Sequence, residues 1–148
     1  MTRPELSEED QAHVEAFRAA PTEVALSGHA QVFAAAYSLN WDDHGGAPRI
    51  LLQHPDCELA TALVLFWHGG AGDLLAECRT AEEADEEFYL GAGTEFTFLV
   101  EVHDAVASGR ITRGSLVFDP RDDDGTDWTG GEGPDDFVYA VDAKLFGA

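Results

Sequence analysis

Residues 59–67, Leu-Ala-Thr-Ala-Leu-Val-Leu-Phe-Trp, constrain this chain more than any other stretch. Read as a helix, they place apolar side chains around nearly the whole circumference, interrupted only by Thr61. A helix that is apolar on all sides must be wrapped by other elements or lie in a membrane. The stretch is well short of the ~20 residues that a bilayer span needs. It therefore predicts the central helix of a packed domain. A chain of 148 residues, 45% of them hydrophobic, can supply that wrapping within one core.

Start and stop signals give the surrounding elements. Ser7 followed by Glu8, Glu9 and Asp10 reads as a helix start, a hydroxyl cap with acids where they offset the helix dipole. That helix runs to about residue 19 and stops before Pro21, with Val14 and Phe17 on its buried side. A second helix is expected over residues 22–39, with Gly28 as a break. Residues 40–46 form a turn rich in types that bond locally or accept positive φ. Pro48 suits the first position of a short helix that Pro55 closes, and Asp56 is the expected N-cap of the central helix. Gly69-Gly70-Ala71-Gly72 ends that helix. A short helix over 73–78 follows, then a capping box at Thr80-Ala81-Glu82-Glu83 opening an acidic helix to about residue 90. Residues 94–108 place Phe96, Leu99, Val100, His103 and Val106 on one stripe. Ile111, Leu116, Val117 and Phe118 around Gly114 read as a strand or hairpin arm. A Gly-, Pro- and Asp-rich loop covers 119–136, and apolar patterning returns over 137–146. The fold expected is mainly α (α+β in class), a single helical domain of about five to six helices with a small C-terminal β element. Within the single domain 1–148, residues 1–20 are an N-terminal helix, 22–120 the core, and 121–148 an acidic loop and C-terminal segment.

The residues Asn40-Trp41-Asp42-Asp43, Pro48, His54-Pro55, Cys57, Ala60, Leu63, Phe66 and Trp67 make a further pattern. It resembles the bacterial domain-of-unknown-function 4274 family, marked by an NWD-D/G turn and a helix ending in HP-x-C. The resemblance is strongest over residues 29–67 and extends more weakly to Asp119-Pro120. There it implies a helix, a glycine-bounded connection through Gly109 and Gly114, and a short strand closing on Pro. Asp43-His44-Gly45-Gly46 stands where relatives often carry a shorter Asp-Gly. The family has no established activity. The resemblance implies a small intracellular bacterial protein, and some relatives are similar to accessory and immunity proteins encoded near polymorphic toxins.

Eight Lys plus Arg against 29 Asp plus Glu give a formal charge of -21. Such a surface repels nucleic-acid phosphates and anionic lipid heads, so neither nucleic acid nor membrane is an expected partner. A basic protein partner, bound cations, mimicry of DNA, or life at high salt all remain compatible with it. The first ten residues lack an apolar signal core, and Cys57 and Cys78 fall outside any Cys-x-x-Cys arrangement. Both features give a cytoplasmic expectation.

Several residues invite a chemical reading. Two carboxylates beside an imidazole in Trp41-Asp42-Asp43-His44 could bind a divalent cation or move protons. The structural alternative is that Asp42 and Asp43 cap the helix beginning at Pro48 while Trp41 packs inward. His44, His54 and His68 lack the short ligand spacing of a zinc site. His54 is expected to bond a neighbouring backbone group, and His103 to sit satisfied in the core. Cys57 stands at a helix start, where a thiol can be activated, but a free cysteine is commonly a small buried hydrophobe. The run Asp122-Asp123-Asp124-Gly125-Thr126-Asp127 fails as a calcium loop, because Pro120 and Gly131 occupy positions that need acids. The glycines at 69–72 follow a helix and precede no Lys-Ser/Thr, so they are no phosphate loop.

These comparisons assign no catalytic residue, no metal ligand and no cofactor, and lean away from an enzyme. The expected binding residues are Trp41, Asp42, Asp43 and His44 in the turn, Glu82, Glu83 and Glu86 in the acidic helix, and Asp122, Asp124 and Asp127 in the loop. The expected function is a non-catalytic module that docks a basic protein, in its sharpest form an immunity or accessory protein. Alternatives are a metal-dependent hydrolase or small-ligand binder centred on the Trp41 turn, and a salt-adapted housekeeping protein.

Overall fold

A computed structural model of the chain describes residues 4–147. Met1, Thr2 and Arg3 of the N-terminal segment, and Ala148, lie outside the described residues. In chain order the helices are α1 (Glu8–Ala19), α2 (Gly28–Tyr37), α3 (Ala47–Gln53), α4 (Leu59–His68), α5 (Ala71–Glu77), α6 (Ala81–Glu87) and α7 (Ala92–Ala107). Two short 3-10 turns follow, Pro134–Asp136 and Ala143–Phe146.

The apolar stretch sets the architecture. Every residue of α4 from Leu59 to Trp67 is buried. Helices α2, α3, α5 and α7 pack directly on it, and α1 and α6 form outer layers on α2 and α7. Each large apolar side chain so buried contributes ~1.5–3 kcal/mol, and α4 buries Leu59, Leu63, Val64, Leu65, Phe66 and Trp67. Trp67 extends this to the tail. Its indole N–H donates to the Leu145 carbonyl at 2.7 Å. The rings of Phe66, Phe137 and Phe146 meet it edge-on at 5.1, 5.9 and 5.1 Å. The tail is thereby fixed to α4 through the 3-10 turn that carries Leu145 and Phe146. No single helix among the described residues is long and apolar enough to cross a membrane. The α4–α5 pair would pass on length and composition together, but it is bent by 72°.

Several boundaries differ from the sequence-based expectations. The C-terminal β element, including the short strand implied by the family resemblance, does not form. No strand occurs among the described residues, only an isolated bridge between Asp123 and Thr126. Residues 111–118 have the composition of a strand but no strand to pair with, so their polar groups go to the start of α4. The Leu59 N–H donates to the Thr112 carbonyl at 2.9 Å, and Glu58 Oε1 accepts from the Leu116 N–H at 2.7 Å. Glu58, not Asp56, is the N-cap residue of α4. Asp56 instead reaches across to α2, where its Oδ2 accepts from the Gly28 N–H at 2.9 Å. That bond marks why α2 starts at Gly28 rather than near residue 22. Helix α6 stops at Glu87, short of residue 90. The total among the described residues is seven α-helices, one or two above the five to six expected.

The Glu58 clamp is testable. Glu58 is 6% exposed, and a Cβ at residue 114 would lie 1.8 Å from its Oε2. Gly114→Ala must push the carboxylate off the Leu116 N–H. The expected loss is ~2 kcal/mol or more in denaturant unfolding, whereas Ser115→Ala next door, at an exposed position, stays within ~0.5 kcal/mol. Equal midpoints for Gly114→Ala and the unaltered chain would contradict the clamp.

Candidate functional site

The turn after α2 is shaped by Asn40 and His44 rather than by its two aspartates. Asn40 Oδ1 accepts from the Asp42 N–H at 3.1 Å, and His44 Nδ1 accepts from the Gly46 N–H at 3.2 Å. Gly46 is the N-cap of α3 and receives no side-chain cap bond, so the capping expected of Asp42 and Asp43 is not made. Both carboxylates are exposed. Trp41 is half-buried and lies against Gly69, where a Cβ would come within 3.2 Å of its Cη2 and 2.5 Å of the Leu65 carbonyl. Gly69 thus ends α4 and also admits the indole. Ring centroids of His44 and Phe98 stand 6.1 and 6.4 Å from that of Trp41.

A cleft of about 100 Å³ opens here, walled by Trp41, His44, Pro48, Arg49, Glu95 and Phe98. The Arg49 guanidinium donates two hydrogen bonds to Glu101, at 3.0 and 2.9 Å, and lies 6.0 Å over the Phe98 ring. Neither Asp42 nor Asp43 lines the cleft. Among the described residues no three His, Cys, Asp or Glu side chains are arranged to hold a metal ion.

Tyr89 links this turn to α6. Its hydroxyl donates to Glu95, and that bond, followed by burial and the charges of Glu95 and Asp42, raises it to about 12. Because Glu95 also lines the cleft beside Trp41, the bond sets the end of α6 next to the start of α7 and the cleft. Along α6 and just beyond it Glu82, Glu86 and Glu87 are exposed, as are Tyr89 at 51% and Leu90 at 94%. Two other acids of α6 have structural work. Thr80 Oγ1 accepts from the Glu83 N–H at 3.2 Å while Glu83 accepts from the Arg79 N–H at 2.9 Å, the return bond falling one residue before the cap. Asp85 Oδ1 accepts from the Gly91 and Gly93 N–H groups at 3.0 and 2.7 Å, and so caps α7.

Glu82, in the first turn, suits the helix dipole, but the acids at the other end of α6 oppose the helix that carries them. Glu82 faces Glu86, and Glu83 faces Glu87, at the i,i+4 spacing where like charges repel. Glu86 and Glu87 also sit at the negative end of the helix dipole, with no basic residue in the last turn. Ala84 is the buried residue of α6, with Ala81 and Phe88 packed partly buried against the core.

The acidic loop is different. Asp122 Oδ1 accepts from the Gly125 N–H at 3.1 Å. Asp127 accepts from the Thr129 hydroxyl and N–H and from the Gly131 N–H, and these bonds, the hydroxyl's foremost, hold it below the ordinary carboxylate range. Asp124 is exposed in a left-handed conformation, φ 50°. The residue that sequence reasoning missed is Asp123, which is 4% exposed. It accepts from the Tyr37 hydroxyl at 2.5 Å, the His68 Nε2–H at 3.0 Å and the Trp128 indole N–H at 2.9 Å. Those bonds tie the loop to α2 and α4. Nothing in the sequence separates Asp123 from the aspartates on either side of it, because its donors lie as far away as Tyr37.

The other candidates are structural. Burial pushes the Cys57 thiol up to about 12 against the pull of Arg110, so it is protonated at neutral pH and is no nucleophile. His54 uses both ring nitrogens, Nε2–H to the Leu26 carbonyl and Nδ1 from the Asp56 N–H, each at 2.9 Å. His103 is likewise engaged, by Asp104 and by the Asp142 N–H.

Asp123 gives a pH-dependent prediction. Burial works to raise this carboxyl, but its three donors prevail and hold it below the ordinary 3.8. A depressed folded-state value means stability that is present above 3.8 and lost as pH falls through the folded-state value. Asp123→Asn should cost ~1.5–3 kcal/mol at neutral pH, and the gap to the unaltered chain should narrow below about pH 4. Urea unfolding across pH checks this, and a gap unchanged down to about pH 2 would contradict it.

A family model described as Domain of unknown function (DUF4274) matches residues 28–102, from the start of α2 to well within α7. The match takes in the Trp41 turn, the cleft and α6, and leaves out the acidic loop. No curated protein and no solved structure matches the chain. With about half of its length matched, the chain belongs to the DUF4274 family.

Proposed function

We propose that this chain is a non-catalytic binding module whose acidic α6 face docks a basic protein, in an immunity or accessory role. The observation that carries the reading is the set of exposed acids on α6. Glu86 and Glu87 work against their own helix, at its negative end and four residues from Glu82 and Glu83, and a fold optimised for itself would not keep them there. They stand beside exposed Tyr89 and Leu90, the aromatic and apolar groups that anchor protein interfaces. The net charge of -21 extends the attraction beyond contact range. Steering of this kind lifts association to ~10⁸ M⁻¹s⁻¹ or more at low salt. The loop aspartates support docking less well, since Asp122 and Asp127 already bond their own backbone. The cleft beside Trp41 favours a second reading, a small-ligand site at the 41–44 turn.

The test is affinity capture from the source cell at low salt, with the unaltered chain and with a Glu82→Gln, Glu86→Gln, Glu87→Gln variant side by side. The unaltered chain should retain a stoichiometric basic protein that salt releases. The variant should bind that protein about tenfold more weakly while melting at the same or a higher temperature, because the repulsion within α6 is gone. An equal affinity for the variant, or no retained basic protein, would sink the reading.

A further inference from the structure

Tyr89, two residues beyond α6, donates to Glu95 of the cleft wall, so the cleft lies next to the end of α6. The cleft walls are largely apolar and aromatic, with Trp41, Phe98 and Pro48 among the lining residues. Its rim is acidic. Glu95 lines it, and although Oε2 accepts from Tyr89, Oε1 has no hydrogen-bond partner among the described residues. The one cation on the wall, Arg49, is neutralised by its paired bonds to Glu101. An anion would find little here, because the N–H groups of Gly91 and Gly93 at the start of α7 are already taken by Asp85. What fits is a cationic head on an apolar stem, which can lie along aromatic faces while its charge stays at a wet carboxylate.

We propose that this cleft receives a lysine side chain of the basic partner, its alkyl stem against Trp41 and Phe98 and its ammonium at Glu95. The inference rests on the docking reading above and names the anchor that docking would use. A compact ammonium suits the space better than a guanidinium, whose flat face would compete with Arg49 for the Phe98 ring. The site explains why Trp41 is held half-exposed against Gly69 rather than folded into the core. It also gives Glu95 a task beyond its bond to Tyr89.

The experiment is an NMR titration of the ¹⁵N-labelled full chain with N-acetyl-lysine methylamide, beside the norleucine counterpart that lacks the ammonium. The Trp41 indole N–H and the Gly69 and Thr94 amides should shift saturably with the lysine probe, with a dissociation constant of about 1–10 mM for so small a ligand. The norleucine probe should bind at least ~5-fold more weakly. Glu95→Gln keeps an oxygen for Tyr89 and should weaken the lysine probe alone. Equal responses to the two probes, an unchanged titration in Glu95→Gln, or lysine shifts confined to α6 would each overturn the assignment. A partner retained in the capture experiment together with no lysine response at Trp41 would leave docking standing and remove this anchor.

Discussion

The burial of α4 on all sides is the constraint from which the rest of the molecule follows. A helix with no polar face cannot end a fold; it has to be enclosed. Four helices, the tail and the 111–118 segment are the enclosure. Each is attached by a specific device as well as by apolar contact. Trp67 fixes the tail through Leu145, Glu58 fixes residues 112–116, and Gly69 lets Trp41 close the far end. Because every face of α4 is occupied, the surface left for a partner belongs to the outer helices, and α6 is the most exposed of them in charge.

Carboxylates sort into two populations on this scaffold. Glu58, Asp85 and Asp123 accept bonds from backbone or ring donors, and each holds one segment to another. Removing any of them would strand buried donors, which is the costly direction of a lost hydrogen bond. The second population, Glu86 and Glu87, sits at the negative end of α6 and repels Glu82 and Glu83 along the same helix. Charges of the second kind are what a binding surface looks like before its partner arrives, since the partner supplies the missing counter-charges.

Much of this was legible in the sequence where the determining interactions are local. Ser7 and Thr80 cap the helices they precede in the chain, and the all-apolar run at 59–67 became the central helix. What was not legible depended on residues far apart in the chain. The 111–118 segment has a strand's composition, but a strand exists only with a partner, and the chain offers it Glu58 instead. Asp56 sits where a cap for α4 should be and serves Gly28. In the Trp41 turn, Asn40 and His44 do the bonding expected of Asp42 and Asp43, because their side chains reach the free N–H groups at the right offsets. Asp123 carries the loop on three donors, one of them 86 positions away, and no local pattern announces such a contact.

One rival explanation would account for the charge without any partner, namely that the acids adapt the chain to concentrated salt. The two explanations diverge in how stability responds to ions. Repulsion among exposed acids is largely screened by ~0.15 M salt, whereas a salt-adapted surface gains well beyond that. The decisive measurement is therefore the melting temperature in sodium chloride from about 0.05 to about 3 M. A surface kept for docking predicts a rise that levels off once screening is complete. A melting temperature that climbs steadily into the molar range would contradict the account and assign the acids to the solvent rather than to a partner.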